Sequence, residues 1–411
     1  MARIGIVGTG ISGLQLALHL QQAGIDTIVY AEKDADAMRA GRLPSSVVRM
    51  GPTLARERAV GVDVWERRVE AIEVSILDTP IAFVGRFAER ASAVDFRLYL
   101  ASLLETYLER GGTVAYGALG PAHIVARSAD HDLTVVASGR ESIGAFFPRD
   151  EERSAHTAPR RMLCSAFYRG VGLPEPVAGA IHLAPGIGEV FTFPFVTRHA
   201  GPVSAILFEA IPGGPLEPIV HASYADDPHA FHALALDLVR RFAPPLHERI
   251  DPAELGVTDE RDILQGAITP VVRRPYSEIA PGRFAVALGD AYVTNDPVAG
   301  QGANLGSACA EIVADAICRD IAYDAMFCRR LADRLWMVAE PVVHFSNALL
   351  APPPPHVEAL LGAAWTNQAV ADAFIDNFAH PDAMWRAIAT PQRAASFVAR
   401  VGAGPALSLA S

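Results

Sequence analysis

Residues 3–32 restrict this chain more than any other stretch. Arg3-Ile-Gly-Ile-Val7 is apolar enough for a buried strand, Gly8-Thr-Gly10-Ile-Ser-Gly13 follows, and Leu14, Leu18 and Leu20 then mark one face of a helix. A second strand, Asp26-Thr-Ile-Val-Tyr30, ends in Ala31-Glu32. Strand, glycine loop, helix, strand and an acid about 20 residues on make up the sequence form of a dinucleotide-binding unit. The glycines let backbone approach a diphosphate, whose charge is met by the unpaired N–H groups and dipole of the helix start. The acid takes the ribose hydroxyls. Gly8, Gly10, Ile11, Ser12, Gly13 and Glu32 are therefore read as cofactor-binding, and Lys33 as a solvated surface charge.

A second stretch decides which dinucleotide. Phe284–Leu288 is a short apolar run that stops at Gly289-Asp290, and Pro297 opens a loop with Gly300 and Gly302. Ala303 and Asn304 follow as a helix starts, with Leu305, Ala308, Ile312, Val313 and Ile317 on its apolar positions. A late strand ending in Gly-Asp, with a glycine loop feeding another helix, belongs to FAD-binding architectures; a nicotinamide-only domain has no need of it. Asp132–Ala137, an apolar strand ending at Ser138-Gly139, returns the chain to the same sheet. Arg42 and Arg49 bond flavin oxygens or sit on the surface, and the residues leave both readings open. Arg97, opening a helix with Leu100, Leu103, Leu104 and Leu108, reaches a phosphate or is an exposed helical arginine.

A chain of 411 residues exceeds one typical core. The fold class expected is α/β, with a Rossmann-type FAD-binding domain, an antiparallel-sheet substrate domain and a C-terminal helical region. The boundaries expected are 1–75, 92–163 and 262–330 for the discontinuous FAD-binding domain, 76–91 and 164–261 for the substrate domain, and 331–411 for the helices. The texture changes near Cys164, where Glu189–Phe193 and Val203–Phe208 alternate or run apolar between Gly/Pro turns. Asp227-Pro228 caps and opens a helix that Pro244-Pro245 ends. Trp365, Phe374, Phe378 and Trp385 are expected to pack as core in the final helices.

A net charge of −11 argues against nucleic acid or an anionic membrane as partner. Four cysteines without Cys-x-x-Cys spacing suggest neither disulfides nor zinc, and thirteen histidines show no ligand spacing. No uninterrupted apolar run of about 20 residues occurs, and Gly5, Gly8, Gly10 and Gly13 break the only one that imitates a signal peptide. The expected location is cytoplasmic.

With these pieces placed, the sequence resembles the flavoprotein monooxygenases of the para-hydroxybenzoate hydroxylase type, and most closely the styrene and indole monooxygenase group. The resemblance is carried by Arg-Ile-Gly-Ile-Val-Gly at 3–8, Val-Asp-Phe-Arg-Leu-Tyr at 94–99 and Glu-Arg-Ile-Asp-Pro-Ala-Glu at 248–254. Asp-Ile-Leu-Gln-Gly at 262–266, Leu-Gly-Asp at 288–290, Asp-Pro-Val-Ala-Gly-Gln-Gly-Ala-Asn at 296–304 and Asp-Asn-Phe at 376–378 complete it. It implies an oxygenase that takes reduced FAD from a separate NAD(P)H:flavin reductase, reacts it with O2 to a flavin C4a-(hydro)peroxide, and epoxidises a small aromatic alkene or indole. Single-component relatives carry an Asp-Gly after the third FAD strand, where this chain reads Ala137-Ser138-Gly139-Arg140.

By the same resemblance Ser45 and Pro297 border the reacting edge of the flavin, and Val47, Arg49, Ile72, Ser75 and Ala91 line the substrate pocket. At Ser45, Val47 and Arg49, styrene enzymes tend to have Asn, Val and His and indole enzymes Ser, Gln and Met; Ser45 matches the indole type, Val47 the styrene type and Arg49 neither. The alternatives are a single-component NAD(P)H-dependent aromatic hydroxylase and a non-catalytic flavin-binding protein. A flavin-dependent halogenase fits less well, because Trp-x-Trp-x-Ile-Pro is missing. A homodimer is left open.

Overall fold

A computed structural model describes residues 2–66, 68–139, 146–173 and 178–402, and the chain divides into two compact units. The first gathers Met1–Trp65, Val94–Arg160 and Ile268–Asn347. Its six-stranded sheet runs in the order Tyr276–Ala280, Arg283–Ala287, Leu133–Val136, Arg3–Val7, Asp26–Ala31, Thr113–Tyr116. Only the outermost pair, 276–280 with 283–287, is antiparallel. Strands buried on both faces need apolar side chains on both, which is why 4–7 and 133–136 are buried at every residue. The strands expected at 3–7, 26–30, 132–137 and 284–288 are all present.

Register fixes where these strands end. Val7 lies opposite Tyr30 and Val136, and Val136 opposite Ala287. The segments that follow, 8–10, 32, 137–139 and 288–290, therefore leave the sheet along one carboxyl edge, where open α/β sheets bind ligands.

The second unit comprises Glu66–Ala93, Arg161–Ala267 and Ala348–Ser411. Its strands run in the order Gly256–Val257, Met162–Arg169, Ser204–Ala210, Gly188–Pro194, Ala178–Ala184, Val69–Ile76, Ala82–Ala93. Ile263–Ala267 also pairs with 162–169. The sheet is antiparallel as expected, apart from 69–76, which runs parallel to 178–184. The helix Pro228–Phe242 covers it with Phe231, Ala235, Leu238, Val239 and Phe242, and Asp227 caps that helix through Ala230 N (2.9 Å).

Several boundaries differ from those expected; residues 262–267, expected with the cofactor domain, belong to the second unit, where Ile263–Ala267 pairs with 162–169. Strand 69–76 was assigned to the cofactor domain, yet both its neighbours, 178–184 and 82–93, belong to the second unit. The final helices were expected as a separate region, but those beyond 347 also belong to the second unit. Helix Gln368–Asp376 shows why. Gln368 donates to Val84 O (2.8 Å), while Asp372 and Asp376 accept from Arg86 N (2.9 Å) and Ala88 N (2.8 Å). Side chains four residues apart thus satisfy alternate backbone groups of strand 82–93. Gly85 makes the approach possible, because a Cβ there would collide with Ala371 O.

Phe374 and Phe378 are buried as expected, Trp385 is half-buried, and Trp365 is exposed, contrary to its core assignment. The four cysteines are unpaired. Among the described residues no helix is long and apolar enough to cross a membrane, and no His/Cys/Asp/Glu group could hold a metal.

Candidate cofactor and substrate site

The glycines of the first loop are required for different reasons. Gly8 has φ +109°, a left-handed value that side chains rarely adopt, and a Cβ on Gly13 would collide with Gly8 O. Gly10 is different: its φ is −72°, and the nearest atom to an added Cβ is Ala137 O at 3.8 Å. Nothing among the described residues forbids a side chain there. Gly10 is also the N-cap of helix Ile11–Gln22, with no side-chain cap. A bare helix start with open space above it fits a ligand's diphosphate.

The Ser12 side chain packs inside the protein. Its hydroxyl is buried where a Cβ on Gly289 or Gly306 would strike it, so it mediates close packing of the first helix on those glycines. Ile11 is likewise buried. Glu32 is exposed at the end of its strand. Gly139 and Asp290 lie side by side, an added Cβ on the former coming 2.8 Å from Asp290 Cβ. Gly289 has φ +63°. Asp290 is exposed, yet surrounding protein pushes its carboxyl pKa upward and Arg273 opposes the rise. Ser138 is half-buried beside them, and Arg140 lies outside the described residues.

The later loop builds a second bare helix start. Asp296 accepts from Val298 N (3.1 Å) and caps the short turn Pro297–Ala299, after which Gly300 turns the chain at φ +63°. Helix Gly302–Arg319 begins with no side-chain cap, and an added Cβ on Gly302 would meet nothing within 4 Å among the described residues. Ala303 is buried and Pro297 half-buried. The residues present therefore fit a flavin dinucleotide: two uncapped helix starts, each with a glycine that contacts within the protein do not require.

The Asn304 side chain is used entirely within the protein. Its amide oxygen accepts from Met50 N (3.1 Å) and Thr53 Oγ1 (2.7 Å), and its amide nitrogen donates to Val48 O (3.0 Å) and Gly300 O (2.9 Å). Two lone pairs and two N–H groups are thereby used. The side chain clamps residues 48–53 to the loop, leaving its backbone N–H, in the helix's first turn, for a cofactor.

Arg97 is buried, which overturns the exposed reading. Asp95 holds its Nε (2.9 Å) and Nη2 (2.6 Å), while its Nη1 donates to Gly41 O (3.2 Å). It thus supports the turn that carries the exposed Arg42. Arg49 is completely buried, so its surface reading is also overturned. Its guanidinium pairs with Glu57 and lies 4.2 Å from the Tyr99 ring centre. Ser45 and Val47, just before it, are half-buried.

In the second unit Ile72, Ser75 and Ala91 are buried. Ile72 and Ser75 are three residues apart on strand 69–76, so they project from opposite faces and do not line one wall together. Ser75 Oγ is 2.7 Å from His182 Nδ1. Burial, and secondarily Arg249, pull the His182 pKa down to about 4. Neither His182 nor Arg273, which donates to Asp290 O (3.0 Å) and Thr294 Oγ1 (3.3 Å), stood out in the sequence. Their partners are 107, 17 and 21 residues away, and no local pattern marks them.

Comparison with known proteins agrees with this geometry. Residues 139–249 match the family described as "Styrene monooxygenase A putative substrate binding domain". Styrene monooxygenase StyA of Pseudomonas fluorescens is 33% identical over 400 residues, 95% of this chain and 96% of that protein. Among solved structures, flavin-dependent brominase Bmp2 superposes with a TM-score of 0.62 at 13% identity, covering 98% of this chain and 94% of its own. Klebsiella pneumoniae HpxO complexed with FAD and uric acid gives 0.59 at 15%, covering 93% and 96%. The solved structures give the para-hydroxybenzoate hydroxylase-like fold, and the relation to StyA makes the chain an FAD-dependent monooxygenase. Within that class, the chain belongs to the styrene monooxygenase family.

Proposed function

We propose that this chain is the oxygenase of a reductase-fed pair and epoxidises a vinyl-aromatic or indole-type double bond. The observation that carries the flavin part is the pair of bare helix starts at Gly10 and Gly302. The relation to StyA over 95% of the chain supports the aromatic alkene as substrate. When bound, reduced FAD supplies the two electrons that let one atom of O2 pass to the alkene while the other leaves as water.

The chain's own residues bind, orient and exclude water. Backbone N–H groups at 10–13 meet diphosphate charge, and Glu32 accepts from ribose hydroxyls. Gly139 and Asp290 take the linker between the two rings. The N-terminal dipole of helix 302–319 favours the negative charge of the reduced ring. Pro297, with buried Val298 and Ala299 behind it, presents an apolar, N–H-free surface to the substrate side. Ser45 and Val47 place the reacting edge, and no side-chain acid or base is required.

Reduced FAD is proposed to come from an NAD(P)H:flavin reductase, because beyond the two glycine loops assigned to FAD the sequence carries no further glycine-rich nucleotide loop. The test is turnover with chemically reduced FAD, O2 and styrene or indole. Styrene oxide or indigo formed without nicotinamide is the expected result. Rapid substrate-dependent NADH oxidation by the purified chain alone would overturn it.

A further inference from the structure

Four fully buried polar residues from four elements of the first unit form one connected group. Arg49, on strand Val48–Arg49, pairs with Glu57 of helix Gly51–Ala59 and stacks on Tyr99 of helix Phe96–Glu109. Tyr99 Oη donates to Glu57 Oε1 (2.8 Å) and accepts from Gln15 Nε2 (2.9 Å) of helix Ile11–Gln22. All four residues have zero exposure. The backbone on either side of Arg49 is held separately, because Asn304 bonds Val48 O and Met50 N. The strand that follows Ser45 and Val47 is thus fixed through its main chain to one bare-ended helix and through its arginine to the other.

We propose that Arg49 is a positioning residue that, with Glu57, Tyr99 and Gln15, locks segment 45–50 onto the first helix and offers no charge to the substrate. This rests on the reading of Ser45 and Val47 as substrate-side positions. Two buried opposite charges that cancel contribute little net stability compared with an apolar pair. What they impose is a fixed placement, since each charge tolerates only a position beside its partner.

The groups facing the Glu57 carboxyl are Arg49 from the strand, Tyr99 from helix 96–109 and, at longer range, Asp63 beyond its own helix; Gln15 reaches it through Tyr99. Burial already raises the Glu57 pKa and Arg49 opposes the rise. Removing Arg49 therefore raises it further. The neutral acid is then tolerated in the folded state, so stability holds at low pH and falls as pH climbs above the ordinary carboxylate range.

The experiment uses full-length Arg49→Met, Arg49→Lys and the double variant Arg49→Met/Glu57→Leu. Tm against pH and FAD affinity are measured for each, then the enantiomer ratio of styrene oxide and the KM ratio of 4-vinylbenzoate to styrene. Arg49→Met is expected to lose Tm with rising pH. Arg49→Lys is expected to restore most of the wild-type curve, and the double variant to be flat. In the double variant the enantiomer ratio is expected to shift with FAD affinity within about threefold of wild type. The Tm curves need no substrate, so they are read even where the alkene assignment fails. A wild-type Tm curve in Arg49→Met, or a selective rise of about tenfold in KM for 4-vinylbenzoate in the double variant, would overturn the proposal.

Discussion

The two bare helix starts, both proposed to meet the cofactor's charge, are built from different amounts of the chain. The first is self-contained: Gly8, Gly10 and Gly13 lie within six residues, and its conformation follows from φ at Gly8 and the fit of Gly13 against Gly8 O. The second is assembled. Asn304 reaches back 251 to 256 residues to hold Thr53, Met50 and Val48 against the loop at Gly300. A site made of backbone can be specified locally, whereas a site that must also place a substrate-facing segment needs side chains from elsewhere.

Substitutions can break this comparison, the largest effects first. Gly13→Ala forces a Cβ onto Gly8 O and is expected to destroy both fold stability and FAD binding, seen as loss of a cooperative melt. Asn304→Ala leaves Met50 N, Thr53 Oγ1 and Val48 O without their partner, at a cost of about 2–4 kcal/mol in chemical denaturation. Its effect on FAD is expected to be smaller than its effect on product selectivity, because the helix start remains. Gly10→Ala is the converse: unchanged Tm of the apoprotein, with FAD affinity about tenfold weaker. If Gly10→Ala melts lower and binds normally, the distinction between the two glycines of the first loop is wrong.

Away from the cofactor the effects are pH-dependent or small. His182 has a folded pKa of about 4 against an ordinary 6.5, so the unfolded chain binds its proton first as pH falls. Stability should drop between those values by up to about 3 kcal/mol, and His182→Gln should flatten that part of the curve. Asp372→Ala or Asp376→Ala should each cost about 1 kcal/mol, by releasing a backbone N–H of strand 82–93.

What was legible in the sequence follows the same division. The strands at 3–7, 26–31, 133–136 and 283–287 and both glycine loops could be read because apolar runs and glycines act locally. Asn304 and Arg97 could be marked as site residues, but their side-chain contacts with Val48 and Gly41 could not, because those partners lie 256 and 56 residues away. Arg49 looked like a surface, pocket or flavin-contacting charge because the carboxylate that neutralises it becomes visible only once helix 51–59 is folded. Ile72 and Ser75 were read as pocket positions by resemblance, and only the strand's period of two shows that they project from opposite faces. Aromatic spacing alone does not tell core from surface at Trp365, which the structure leaves partly exposed.

The measurement that bears most directly on the account is an anaerobic titration of oxidised and reduced FAD into wild type, Gly10→Ala and Gly302→Ala, with apoprotein Tm as control. Gly10→Ala should weaken both redox states alike, because the diphosphate is the same in each. Gly302→Ala should weaken reduced FAD more than oxidised, because only the reduced ring brings negative charge to the second helix start. Wild-type affinities for both states in both variants would contradict the assignment of these helix starts to the cofactor.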